Sequence, residues 1–174
     1  MNPNRAIIEL KARVENLDLI RKELLKIGAK FVAKIRQVDT YYEVPKGRLK
    51  LREAFGESPY TRLIYYEREN IADIKESQIF ILELKNHQKF KELAQRILKV
   101  RCVVDKIREI YRFKNVQIHL DNVKDLGTFL EFEKPKEDTK LDRKFLENLM
   151  RQIGIKHENL EALSYSELIL KKPE

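Results

Sequence analysis

The chain has 174 residues, a mass of 20.8 kDa and a formal net charge of +8, and 43% of its residues are apolar. This length predicts one domain over residues 1–174 with a single core. No stretch approaches the roughly 20 apolar residues of a membrane span, which excludes an integral membrane protein. No secretion signal is recognisable, and the single Cys102 can form no internal disulfide. Both features favour a cytoplasmic protein.

The positive charge indicates an anionic partner. Lys and Arg number 36 against 28 Asp and Glu, an excess that suits nucleic acid, an acidic membrane surface or a phosphorylated small molecule. No block of five or more Lys and Arg occurs. A nucleic-acid-binding arm is therefore not favoured.

Period-two alternation predicts strands along most of the chain. In the first strand, Ile8 and Leu10 point to one face, and Glu9 and Lys11 point to the other. The eight predicted strands span residues 6–14, 31–44, 48–52, 60–69, 78–85, 100–113, 116–123 and 128–132.

Three apolar stripes with helical spacing predict helices between the strands, each with its stripe facing a core. Gly28 and Gly154 follow the first and third stripes, where a glycine commonly ends a helix. Ser164 and Glu167 form a capping-box pattern that predicts a short last helix. The stripes consist of Leu17, Ile20, Leu24 and Ile27; of Phe90, Leu93, Ala94 and Ile97; and of Phe145, Leu146, Leu149 and Ile153.

The order of these elements predicts an α+β fold, an eight-stranded antiparallel β-barrel with helices packed outside. A faint repeat is compatible with chance or with two related halves. Residues 8–11 (IELK) and 82–85 (LELK) each precede a predicted helix and a long strand.

The polar strand faces carry charges that are sorted by sign. Most charged strand faces are solvated, and alternation alone is compatible with that interpretation. If the strands close into a barrel, however, these side chains line its interior, where charge is costly unless something fills the space. The faces are Glu9 and Lys11; Arg48, Lys50 and Arg52; Lys106, Arg108 and Arg112; and Glu131 and Glu133.

A triphosphate with a divalent metal ion would fill such an interior. Arg and Lys bind phosphate oxygens, and carboxylates hold Mg²⁺ or Mn²⁺. A nucleic-acid surface would need the cations without the Glu131 and Glu133 pair.

These segments resemble the CYTH family, the triphosphate tunnel metalloenzymes that include class IV adenylyl cyclases and thiamine triphosphatases. The first strand resembles the family signature Glu-x-Glu-x-Lys, with its second Glu and its Lys at Glu9 and Lys11. The order and spacing of the motifs together carry the resemblance. The other matching segments are residues 37–42, 47–52, 63–68, 104–109, 118–133 and 164–166.

The resemblance implies a tunnel that binds a triphosphate small molecule, with Lys11 and Glu133 in catalysis and Mg²⁺ or Mn²⁺ as cofactor. The direction of Arg68 is open, because either Tyr66 and Arg68 or Tyr65 and Glu67 can face inward. His119 is a candidate for phosphate binding or proton relay, and a hydrogen-bonded structural histidine is the alternative. The implied metal ligands are Glu9, Asp121, Glu131 and Glu133. The implied phosphate ligands are Lys11, Arg48, Lys50, Arg52, Lys106 and Arg108, with Arg68 among them if its strand turns it inward.

The sequence departs from the signature at its first Glu, which is replaced by Ile7. Alternation places Ile7 on the face of Glu9, so the metal cluster lacks one carboxylate. We expect weaker metal binding, one ion instead of two, or a shifted site. Glu83 and Asp121 are candidates to compensate.

Three functions remain open on the sequence. The first is a triphosphatase that releases phosphate, which needs only the phosphates of its substrate. The second is a cyclase that makes cyclic AMP and pyrophosphate from ATP. The third is a triphosphate- or polyphosphate-binding protein without turnover, as Ile7 suggests. RNA binding follows from net charge alone, and the strand edges and basic surface allow a homodimer without requiring one.

Overall fold

A computed structural model describes residues 4–172, which form a closed barrel of eight strands with four α-helices. Neighbouring strands run in the order β1-β5-β4-β3-β2-β6-β7-β8, and β8 pairs back with β1. All eight pairings are antiparallel, which confirms the predicted fold class. The strands are β1 (Asn4–Arg13), β2 (Lys30–Tyr42), β3 (Arg48–Phe55), β4 (Tyr60–Arg68), β5 (Lys75–Glu83), β6 (Val100–Phe113), β7 (Val116–Val123) and β8 (Gly127–Pro135). The helices are α1 (Leu17–Lys26), α2 (His87–Ile97), α3 (Thr139–Gln152) and α4 (Tyr165–Leu170).

The fifth strand differs most from its prediction, since it begins at Lys75 instead of residue 78 and ends at Glu83. Its first residues pair with β1, where Lys75 lies opposite Glu9 and Ser77 opposite Ile7. Closure of the barrel therefore sets where this strand starts, and local alternation could not show it.

The strand order agrees with the faint sequence repeat. The two halves of the chain are β1–β4 and β5–β8. If β1 is exchanged with β5, β2 with β6, β3 with β7 and β4 with β8, every strand keeps the same pair of neighbours around the barrel. Each half also places a helix after its first strand. The topology is therefore that of two related halves that share one interior.

The largest apolar core lies outside the barrel wall. The outward residues of β1 and β8, such as Leu10 and Phe132, pack against Leu24 of α1 and Leu146 of α3, and all four are at most 1% exposed. Because this layer buries the apolar side chains, the barrel interior is left for polar ones.

The second helix contradicts the predicted core-facing stripe in part. Phe90 and Ala94 pack against the outer faces of β2 and β3 as expected. Leu93 and Ile97, by contrast, are 53% and 67% exposed. The helix meets the barrel along the row of residues 90, 94 and 98, so the row formed by 93 and 97 faces solvent.

The predicted helix ends are present. Gly28 has a φ of +84°, the left-handed conformation that favours glycine, and the N–H groups of Gly28 and Ala29 donate to carbonyl groups of the last turn of α1. At α4, the Ser164 side chain accepts from the Glu167 N–H, and the Glu167 carboxylate accepts from the Ser164 N–H. Both signals were readable because they are local.

The fourth helix packs across one mouth of the barrel. Tyr165 and Leu168 contact Val104, Val123 and Phe129, which are interior-facing residues at one end of β6, β7 and β8. The Tyr165 hydroxyl also donates to Asp121 Oδ2 at 2.7 Å. Helix α4 therefore forms a floor under the interior cavity.

Within residues 4–172, no helix is both long and apolar enough to cross a lipid bilayer.

Candidate functional site

The barrel interior holds a cavity of about 220 Å³ lined mainly by charged and polar side chains. On β1, Glu9 and Lys11 face this cavity, whereas Ile8 and Leu10 belong to the outer core. The alternation read from the first strand is therefore confirmed. The charged residues that line the cavity are Arg5, Glu9, Lys11, Lys50, Arg52, Arg62, Arg68, Lys106, Arg108, Glu131 and Glu133.

Two carboxylates and an imidazole converge on one side of the cavity. His119 lies opposite Glu131 in the β7–β8 pairing, and Glu133 is the next interior residue along β8. His119 Nδ1 is 3.7 Å from Glu131 Oε2 and 3.8 Å from Glu133 Oε1, and one ligand atom from each of the three residues lies within 4.8 Å of the others. This donor set fits a divalent cation, because oxygen and imidazole nitrogen are its common protein ligands.

The Glu131 carboxylate also holds two cations. Its Oε2 accepts from Arg108 Nη2 at 2.5 Å, and its Oε1 lies 3.3 Å from Lys11 Nζ. Burial alone would raise the pKa of Glu131, but Arg108 and Lys11 hold it well below its ordinary value. The group therefore stays ionised and able to bind a cation near neutral pH.

Glu9 lies directly opposite Glu133 in the β1–β8 pairing. Its Oε1 accepts from Arg68 Nη1 at 2.5 Å. Glu9 is thus beside the three-residue group, with one oxygen engaged by an arginine.

Asp121 is fully buried, and both of its oxygens are engaged. Arg108 donates to them at 2.7 and 2.5 Å, and the Tyr165 hydroxyl donates to Oδ2. The metal-ligand role of Asp121 stays a prediction, and the contacts show it orienting Arg108.

A second cluster gathers three of the expected phosphate-binding cations around one carboxylate. Asp39 accepts from Arg52 through both oxygens at 2.7 Å, from Lys50 at 3.0 Å and from Lys106 at 3.1 Å. Burial would raise the pKa of Asp39, yet Arg52, Lys106 and Lys50 hold it well below its ordinary value. Asp39 therefore holds the cations side by side in the free protein.

The two lysines of this cluster, Lys50 and Lys106, have lowered pKa values. Burial, with Arg52 adding to it, lowers the pKa of Lys50 to about 7. Burial also lowers the pKa of Lys106 to about 8, although the attraction of Asp39 opposes it. An added phosphate would favour the protonated forms.

Lys11 is held at the floor of the cavity. Its Nζ donates to the Leu163 carbonyl at 3.2 Å and lies 3.7 Å from the centre of the Tyr165 ring. Burial lowers its pKa, and the nearby Arg68 adds to that shift, against the raising effect of Glu131.

The structure shows which face of β4 points into the barrel. Tyr66 and Arg68 line the cavity, whereas Tyr65 packs on Phe80 outside and donates to Glu67. The sequence allowed either face of β4 to point inward, because each face carries one tyrosine and one charged residue.

Arg48 lies apart from the central cavity. Its Nη2 donates to Glu167 Oε1 at 3.0 Å and to Asn70 Oδ1 at 2.6 Å, and it lines a separate groove with Arg68 and Lys75. Arg48 is therefore at the edge of the predicted phosphate site, where α4 meets the barrel.

Neither residue considered as a replacement for the lost carboxylate joins the three-residue group. Glu83 is 60% exposed and pairs with Arg62, while Asp121 is bound by Arg108. Ile7 itself faces inward as expected and lines a separate cavity beside Glu133.

One wall of the cavity is apolar. Ile64, Ile79 and Ile81 project from β4 and β5, on the side of the barrel opposite β6 and β7. Gln37 Nε2 donates to the Tyr60 hydroxyl at 2.8 Å nearby, while its buried Oε1 has no hydrogen-bond partner among the described residues. This wall can accept the organic part of a substrate.

Several of these residues were not identified from the sequence. Asp39 stood inside a recognised segment, but its partners come from β3 and β6, so only strand pairing reveals its role. Tyr165 enters the cavity through the packing of α4. The apolar wall gave no signal, since interior isoleucines look like ordinary strand residues.

The comparisons with known proteins agree with this architecture. The model of the CYTH domain matches residues 6–165. A Methanocaldococcus jannaschii protein described as a candidate adenylate cyclase is 27% identical over 173 residues, which cover 92% of this chain and 97% of that protein.

Two solved structures from Pyrococcus horikoshii show the same fold. One is 30% identical, covers 93% of this chain and 98% of its own, and has a TM-score of 0.86. The other is 28% identical, covers 96% of this chain and 99% of its own, and has a TM-score of 0.80. On the family match over most of its length, this chain belongs to the CYTH domain family.

Proposed function

We propose that this protein is a divalent-metal-dependent enzyme that binds a triphosphate inside the barrel and hydrolyses it to release phosphate. One observation carries the proposal. A group of two carboxylates and an imidazole shares a single cavity with Lys11, Lys50, Arg52, Lys106 and Arg108.

The cations of the tunnel would position the phosphates. Arg52, Lys50 and Lys106 are already clustered by Asp39, so phosphate oxygens meet a preformed cationic surface. Such preorganisation lowers the cost of orienting a substrate, and orientation and electrostatics do most of the work in phosphoryl transfer.

The carboxylates would hold Mg²⁺ or Mn²⁺, with Glu133 and Glu131 as the main ligands. A bound divalent cation neutralises the charge that develops on phosphate oxygens. Glu9 lies opposite Glu133 and becomes available as a further ligand if Arg68 turns to a phosphate.

Lys11 is the proposed general base or phosphate clamp. Burial lowers its pKa, and its Nζ adjoins Glu131 at the cavity floor.

A cyclase is the second candidate, and the apolar wall favours it. Cyclisation of ATP requires that a nucleoside be held beside the phosphates, and the wall of Ile64, Ile79 and Ile81 lies within the same cavity. The description of the Methanocaldococcus jannaschii relative adds support. The non-catalytic binder remains the third candidate because Ile7 lacks a metal-ligating oxygen.

A small molecule is the proposed partner, because the clustered cations face the interior rather than solvent. The cytoplasmic location and the homodimer stay predictions.

The product identifies the reaction. The protein is incubated with ATP, thiamine triphosphate and tripolyphosphate, each with Mg²⁺ or Mn²⁺, and products are identified by chromatography. Orthophosphate as the main product supports the proposal. Cyclic AMP as the main product would show that the protein is a cyclase and not a hydrolase. Tight binding without any product would show that it binds triphosphates without turnover.

A matched pair of variants tests the site. Glu133→Gln keeps the shape but removes a charged ligand, and we expect turnover to fall by about 100-fold or more. Glu158→Gln makes the same change at a residue that is 74% exposed and should leave turnover unchanged. An unaltered turnover rate in Glu133→Gln would show that the reaction does not take place in this cavity.

A further inference from the structure

We infer that His119 Nδ1 is a direct ligand of the divalent cation, so that the site binds Mn²⁺ in preference to Mg²⁺. The inference rests on the proposed function for the presence of a metal ion. It assigns His119 to the metal and not to phosphate.

The geometry suits ligation better than hydrogen bonding. The distances of 3.7 and 3.8 Å from Nδ1 to the oxygens of Glu131 and Glu133 are too long for hydrogen bonds. Ligand atoms that each lie about 2.1 Å from one ion are roughly 3 to 4 Å apart. The separation of Nδ1 from each carboxylate oxygen therefore lies in the range of two ligands that share one cation.

The imidazole has no other use for this nitrogen in the part of the chain that the structure describes. His119 is 3% exposed, and its Nδ1 is buried without a hydrogen-bond partner. A buried nitrogen that is unpaired destabilises the folded protein, so such groups usually have a partner. A metal ion between His119 and the two carboxylates would supply it.

The two carboxylates differ in how far protein cations already engage them. Glu131 is already occupied by Arg108 and Lys11, whereas Glu133 makes no contact of comparable strength among residues 4–172. Among the described residues, Glu133 and His119 thus offer ligand atoms that no strong partner holds, and Glu131 would share its oxygens with Arg108 and Lys11.

The replacement at position 7 explains why a nitrogen ligand matters here. Ile7 faces inward beside Glu133 but offers no oxygen. With a carboxylate absent at position 7 and an imidazole present at His119, the ligand set differs from the oxygen-only type that suits Mg²⁺ and is one that transition metals bind more strongly.

Pulsed electron paramagnetic resonance on the Mn²⁺-loaded protein tests the inference directly. Nitrogen bound to Mn²⁺ gives a ¹⁴N modulation, and we expect it in the natural protein. Labelling the histidines with ¹⁵N should replace that modulation with the ¹⁵N pattern. Bound Mn²⁺ without nitrogen modulation would overturn the inference.

Affinities provide the second readout. We expect His119→Gln to weaken Mn²⁺ binding by about tenfold or more while Mg²⁺ binding changes much less. The same substitution at the exposed His157 should change neither. Equal losses for both metals, or no loss for either, would contradict the assignment.

The outcomes also separate this inference from the proposed function. Nitrogen modulation without turnover of any triphosphate would support His119 as a metal ligand and contradict the proposed enzymatic function. Turnover with Mn²⁺ bound but without nitrogen modulation would support the proposed enzymatic function and contradict His119 as a metal ligand. The labelled natural protein gives this answer even if His119→Gln fails to fold.

Discussion

The two faces of β8 divide the work of the molecule. Leu130 and Phe132 point outward into the largest apolar core and are 0% exposed, while Glu131 and Glu133 point inward to the cavity. Adjacent residues thus serve stability on one face and ligand binding on the other. A barrel whose apolar core lies outside its wall can leave its interior charged, because packing does not depend on filling it.

Truncation of the outer face should produce the largest loss of stability. We expect Phe132→Ala to lower the free energy of unfolding by about 3–5 kcal/mol, because it leaves a cavity in the outer core. Leu141→Ala changes a side chain that is 65% exposed and should cost less than about 0.5 kcal/mol. Urea denaturation measures both, and similar values for the two variants would contradict the comparison.

Neutralisation of the inner face should cost less, and a ligand should reverse the loss. Asp39→Asn leaves Arg52, Lys50 and Lys106 without their shared carboxylate, and we expect a loss of about 3 kcal/mol. The value lies at the lower end for a broken buried pair because the two lysines can lose their protons.

Tripolyphosphate distinguishes this variant from Phe132→Ala. A polyanion can replace the missing carboxylate, so it should raise the unfolding temperature of Asp39→Asn more than that of the natural protein. Phe132→Ala should gain no more than the natural protein does. Equal gains in all three would show that the Asp39 cluster is not where the anion binds.

A change of pH tests the inner face without any substitution. Lys50 and Lys106 have pKa values of about 7 and about 8 in the folded protein, against an ordinary value of 10.5 for lysine. Between these values the unfolded chain binds more protons than the folded one, so stability rises with pH. We expect the unfolding temperature of the ligand-free protein to rise from pH 7 to about 9.5.

This window closes at higher pH. The pKa values of Tyr41 and Tyr165 are raised by burial, so their ionisation in the unfolded chain opposes folding above about pH 10. Lys50→Met should reduce the rise between pH 7 and 9.5. An unfolding temperature that falls over that range in the natural protein would contradict the lowered lysine pKa values.

The elements carried by local chemistry were predictable from the sequence. Alternation on β1 showed that Glu9 and Lys11 share a face, and the Ser164 and Glu167 pair marked the start of α4. Such signals depend on residues within a few positions of each other, where backbone geometry alone decides the outcome.

Contacts between distant strands were decided by the tertiary structure. The phase of β4 was settled by its pairing with β3 and β5, and α2 left Leu93 and Ile97 in solvent because the barrel surface meets only one row of the helix.

The sequence by itself determined which charges exist, their alternation along each strand and the loss of a carboxylate at Ile7. Only the tertiary structure decided that Asp39 gathers three cations and that His119 turns its Nδ1 towards Glu131 and Glu133. The physical reason is that electrostatic partners are chosen by distance in space, and barrel closure brings together residues that lie far apart along the chain.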